Sequence, residues 1–155
     1  MLSVFSSVAA LFLGLFTFAR GVGKAFDSRG YVERLAAFEL FADGAIRTIA
    51  KTWMVLEVFG GFLLTIASAA HFVPKVDVSR VEIPGSIGLH IVAGFTLIYP
   101  LIDAVSLARR LEIENCTRFG TFFPQRLGPA VVVQDLGAMV LAFALLWLQY
   151  GFGVD

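Results

Sequence analysis

Three carboxylic acids stand inside otherwise uncharged apolar sequence. Glu57 interrupts residues 52–73, Asp103 interrupts 87–108, and Asp135 interrupts 127–154. Ionisable groups in such surroundings are costly, and they usually face the interior of a helix bundle. Glu57 lies six residues after Lys51, Asp103 six before Arg109, and Asp135 nine after Arg126. At 1.5 Å per residue, each is expected roughly 10 Å inside the same boundary. Carboxylates gathered at one depth tend to share protons. That is the chemistry of a proton or cation site, or of an anchor for a cofactor's polar group. The competing reading is that each acid bonds across helices or to an arginine reaching inward.

Two further residue types bear on chemistry. His71 and His90 fall near the opposite ends of their helices, where imidazoles could ligate a haem or pigment or meet a quinone oxygen. No haem-attachment motif accompanies them, and backbone or headgroup bonding is the plainer expectation. Cys116 is the chain's one cysteine. It excludes an intrachain disulfide but leaves a candidate redox thiol, with Arg110 and Arg118 near enough in sequence to favour thiolate. No Walker loop and no zinc spacing occurs, so neither a catalytic residue nor a metal ligand is assigned. GVGKAF at 21–26 lacks P-loop spacing and reads as a helix end, with Lys24 snorkelling to the interface.

The elements that must carry these residues follow from hydropathy. The composition is 58% hydrophobic, with sixteen Phe and a formal net charge of zero. This excludes bulk attraction to nucleic acid. Four runs approach the 20 residues that cross a bilayer. The expected fold is an all-α integral membrane protein, one four-transmembrane-helix bundle with helices near 1–22, 50–73, 85–109 and 128–151. The first run has no preceding Lys or Arg and no clear small-x-small cleavage site, so it reads as a retained helix rather than a signal peptide. Ser3, Ser7, Ala10 and Gly14 offer it a small-residue seam. In YVERLAAFELF, Tyr31, Leu35, Phe38 and Ala42 share a line, which predicts a short amphipathic interfacial helix between helices 1 and 2. It serves as a packed connector in preference to a partner site. PKVDVSRVEIP alternates Val76, Val78, Val81 and Ile83 with polar residues, which predicts a strand-like flap between Pro74 and Pro84. On helix 2, Glu57, Gly61, Leu64, Ser68 and His71 lie within about 40° of one line, a packing seam in preference to a conduction path.

Basic residues set the expected topology. Arg20, Lys24, Arg29, Arg34, Arg47 and Lys51 follow helix 1, and Arg109, Arg110, Arg118 and Arg126 follow helix 3. The positive-inside rule puts those two loops on the cytoplasmic side and both termini outside, in a bacterial inner membrane or an organellar membrane.

The order of these features resembles the DoxX/MauE group of small four-helix membrane proteins, the MauE-like (methylamine utilisation) members most of all. The resemblance is carried by LGLFTFARGVGKAFDSRGYVERLAAFELF, by LEVFGGFLL with Glu57, Gly60 and Gly61, by ARRLEIENCTRFG, and by LGPAVVVQDLGAMVLAFALL with Gln134 and Asp135. It spans roughly residues 10–150. Cys116, Phe119 and Gly120 match the family's cysteine motif, whereas Arg118 stands where a second cysteine is expected. A lone cysteine cannot cycle as a dithiol, so Cys116 reads as a remnant. The resemblance implies a non-catalytic accessory protein of a redox system, active in assembly, maturation or electron transfer. Its partners would be membrane proteins of a redox complex, and lipid. Two alternatives stay open: a permanent structural subunit of a respiratory, photosynthetic or oxygenase complex, and a small transporter or proton relay using the three acids.

Overall fold

The computed structural model describes residues 2–73, 77, 79–111 and 128–151. Cys116, Arg118 and Arg126 lie outside the described residues, as do positions 74–76 and 78 of the expected flap. Five helices follow in order: α1 Leu2–Phe26, α2 Ser28–Ala36, α3 Asp43–Ala70, α4 Ser79–Ala108 and α5 Pro129–Gly151. Four of them, all but α2, are long and apolar enough to cross a membrane.

Glycine brings the backbones together. A Cβ on Gly14 would stand 2.8 Å from the Thr65 amide nitrogen, and one on Gly21 would stand 2.7 Å from that of Val58. Gly88 meets the Leu64 nitrogen in the same way, at 2.7 Å. Helices without a hydrophobic driving force between them associate through such close approach. Thus α3 is gripped on one side by α1 and on the other by α4. Leu13, Leu64, Leu89, Val92, Ala142 and Leu145 fill the half of the bundle away from α2.

The other half is closed by α2. Its Asp27 cap accepts a hydrogen bond from the Gly30 amide at 3.1 Å and from Arg34 Nη2 at 2.9 Å. Tyr31 and Leu35 turn inward and, with Phe38 just past the helix, pack on Ile46, Ala50 and Met54 of α3 and Val131 of α5. The expected short helix is therefore present, as a lid. Ala42 leaves its line: it is the exposed N-cap of α3. Arg109, at the end of α4, fastens the connector through Phe38 O at 3.2 Å, Glu39 O at 3.3 Å and Glu39 Oε2 at 3.1 Å.

Three expectations change. Residues 79–84 are helical, not a strand-like flap: the apolar run behind them carries the helix through Pro84, which lies inside α4 and removes one hydrogen bond from its second turn. α3 begins at Asp43, well before residue 50. Arg20 and Lys24 belong to α1 rather than to a loop, and Lys24 does not snorkel.

The Asp27 cap gives a pH prediction. The Arg34 hydrogen bond, and then the Gly30 amide, hold the Asp27 carboxyl below its ordinary range. A lowered folded-state value stabilises the folded form above the usual carboxylate range, about pH 4. The contribution fades as pH falls through the lowered value. Amide protection across α2, corrected for intrinsic exchange, is expected to drop on acidification. In Asp27→Asn, which keeps an acceptor for Gly30 but loses the ion pair, protection is lower at neutral pH and its acid dependence is weaker.

Candidate functional site

Lys24, one turn beyond Arg20 on α1, reaches the middle of the bundle's α2 half. Its ammonium donates to Glu57 Oε2 at 2.6 Å and to Tyr99 Oη at 2.6 Å. Tyr99 in turn donates to Glu57 Oε1 at 2.5 Å. Three side chains from α1, α3 and α4 close a triangle in which both carboxylate oxygens accept a bond. Lys24 and Glu57 are both 0% exposed. Such a pair is sustained only when geometry and added hydrogen bonds offset desolvation, and the triangle supplies both.

Arg20 occupies the neighbouring turn. Its guanidinium lies over the Tyr99 ring at 4.3 Å and the Phe16 ring at 5.5 Å, with Nη1 3.8 Å from Asp135 Oδ1 on α5. A desolvated cation on an aromatic face is stabilised by about 2 kcal/mol. Among the described residues its Nε and Nη2 meet no hydrogen-bond partner. Tyr99 is thus shared: its ring carries Arg20 and its hydroxyl serves Lys24 and Glu57. Trp53, Phe95 and Tyr99 pack on one another around it, at centroid separations of 5.9–6.1 Å. Pro100 follows directly and removes one helix hydrogen bond from that turn.

Tyr31 roofs the cluster from the lid. It is 1% exposed, and Lys24 Nζ lies 5.1 Å from its ring centroid. Burial, and then the nearby Glu57 charge, push its hydroxyl well above the ordinary tyrosine value. It therefore stays protonated and can only donate or accept a hydrogen bond.

Glu57, Asp103 and Asp135 are all buried, at 0%, 2% and 1% exposure. The first and last each face a cation from α1. The arrangement is one of alternating charge, with Lys24 against Glu57 and Arg20 against Asp135, which differs from three acids sharing protons among themselves. The hydroxyl on the α3 line closes on its own helix, Ser68 Oγ donating to Leu64 O at 2.7 Å, as does Thr65 Oγ1 beside the line, donating to Gly61 O at 2.7 Å. Glu57, Gly61, Leu64 and Ser68 on that line are all buried in the bundle.

The histidines belong elsewhere. His71 is exposed at the end of α3 and lines a cleft of about 550 Å³ with Ser6, Ser68, Glu82 and Gln149. His90 is exposed and its Nδ1 lies 2.7 Å from Ser86 O. It is not among that cleft's lining residues. No group of three His, Cys, Asp or Glu among the described residues is arranged to hold a metal ion.

Sequence reasoning found the acids but missed Arg20, Lys24, Tyr31 and Tyr99 as their partners. Two spacings carried the signal: Arg20 and Lys24 at i, i+4, and Tyr99 and Asp103 at i, i+4. Each places two polar groups on one face of an otherwise apolar helix.

Comparison of the chain with protein-family models, with curated proteins and with solved structures gave no significant match.

Proposed function

We propose that this chain is an integral-membrane accessory protein of a redox system, with the buried Arg20–Lys24–Glu57–Tyr99–Asp135 cluster as its working element. One observation carries the reading: ionisable side chains from all four long helices converge in the buried interior. Well-packed apolar residues would hold such a bundle at least as firmly, so charges at this depth point to use rather than to stability. The cluster sets an ammonium, a guanidinium, a tyrosine hydroxyl and two carboxylates side by side. Such a set can accept and return a proton beside membrane electron transfer. The DoxX/MauE resemblance supports the same role, with the basic loops on the cytoplasmic side and redox membrane proteins as partners. Cys116 is not required by it.

A second reading is favoured by the aromatic surface. Phe5, Phe12, Phe59, Phe62 and Trp147 are exposed around the bundle, as suits a permanent subunit packed within a larger complex.

A mild-detergent purification of the tagged protein from its native membrane separates the two, read by mass spectrometry and a visible spectrum. An accessory protein brings down oxidoreductase components in substoichiometric amounts and is itself colourless. Stoichiometric recovery of a coloured complex makes it a subunit, and recovery of no redox protein in either form overturns the proposal.

A further inference from the structure

On the lipid-facing side, α1 and α3 are drawn together at Gly21 and Gly61 while their larger side chains splay apart. The result is a groove of about 750 Å³ whose walls include Phe18, Val55, Val58, Phe59 and Phe62, with Ser28 and Lys51 at the α2 end. Phe18 and Phe62 close the far end, their ring centroids 6.2 Å apart. From Lys51 to Phe62 is eleven residues, or about 16 Å of helix. That matches half of a hydrocarbon core about 30 Å thick. The groove therefore spans one leaflet and stops at its middle.

Its polar end is cationic. Lys51 is exposed, Arg47 is exposed one turn earlier on the same helix, and Arg29 is exposed beside Ser28. None of the three has a carboxylate partner among the described residues, whereas Arg34 and Arg109 on the same side are paired with Asp27 and Glu39. An apolar trough one leaflet long, ending at unpaired cations, has the chemistry of one molecule: an acyl chain joined to an anionic headgroup.

We propose that the α1–α3 groove is a binding site for an anionic phospholipid of the leaflet on the α2 side. One acyl chain lies along Val55, Val58 and Phe59, and the phosphate is held by Lys51 and Arg47. The site is separate from the buried cluster and does not depend on its role. It fixes the depth of α1 against α3 and makes occupancy sensitive to the membrane's headgroup composition.

The test is native mass spectrometry of the full chain in detergent, titrated with phosphatidylglycerol or phosphatidylcholine of identical chains. Phosphatidylglycerol is expected to bind as one retained molecule in preference to phosphatidylcholine. Each surface cation contributes about 1 kcal/mol, so Arg47→Gln and Lys51→Gln are expected to lower its affinity about fivefold apiece while leaving phosphatidylcholine unchanged. Val58→Trp, which fills the trough, is expected to weaken both lipids. Should Val58→Trp fail to assemble, the two exposed-site variants still decide the matter. Equal binding of the two lipids, or an unchanged preference in the Arg47→Gln/Lys51→Gln double variant, overturns the proposal. So does a dimer that Val58→Trp dissolves, since the groove would then seat a second copy.

Discussion

Lys24→Met is expected to destabilise the bundle by about 3–5 kcal/mol, the usual cost of removing one partner from a buried ion pair. Glu57 would keep only the Tyr99 hydroxyl and would lose its compensating charge, with no water at 0% exposure to replace it. The loss belongs to the stranded carboxylate rather than to the lysine. Hence Lys24→Met/Glu57→Gln is expected to recover most of it. The glutamine side chain can accept from Tyr99, and no net charge remains at that end. Reversible unfolding in mixed micelles of the two single variants and the double variant completes the cycle. A coupling of several kcal/mol is expected. Purely additive effects would mean that the pair contributes little in the folded bundle.

Gly21→Leu is expected to cost about 3 kcal/mol, the upper end of overpacking penalties. Its Cβ meets the Val58 amide nitrogen at 2.7 Å and the Glu57 Cβ at 3.0 Å. Backbone cannot turn aside as a side chain can. The substitution must push α1 off α3, and Lys24, one turn on, moves with it. Gly14→Leu is expected to act alike at Thr65. Gly94→Ala and Gly137→Ala, where nothing among the described residues lies within 4 Å, are expected to leave the thermal midpoint unlowered. Equal loss at all four sites would contradict the account of the α1–α3 contact.

The parts of this fold that were legible from sequence are those set by local composition. Four apolar runs mark four helices because spanning length and hydropathy are properties of a segment. Glu57, Asp103 and Asp135 stand out because a charge is conspicuous in such a run. What the acids touch was not legible. Lys24 and Glu57 are thirty-three positions apart, and only the antiparallel packing of α1 on α3 brings them together. A basic residue near a helix end snorkels or turns inward according to what lies beside it. Here Gly21 lets α3 approach so closely that Lys24 turns inward. Tyr99 was hidden among neighbours as apolar as itself. The alternation that ends at Val81 and Ile83 misled over residues 79–84, because the apolar run behind Pro84 carries the helix through a proline that reads locally as a boundary. His71 and His90 were singled out by residue type and by their place near helix ends, and neither says which way a helix face turns.

The central claim is that the buried cluster works rather than merely holds. The neutral pair Lys24→Met/Glu57→Gln tests it most directly, because it removes the charges of the central pair and spares the packing. The measurement is the turnover of the redox system in native membranes carrying this variant in place of the natural chain, with its amount and thermal midpoint measured in the same membranes. The account predicts an assembled protein of near-normal stability and a redox system slowed to the level seen without the chain. Normal turnover with an assembled double variant would contradict it, and would leave the cluster a structural tie between helices.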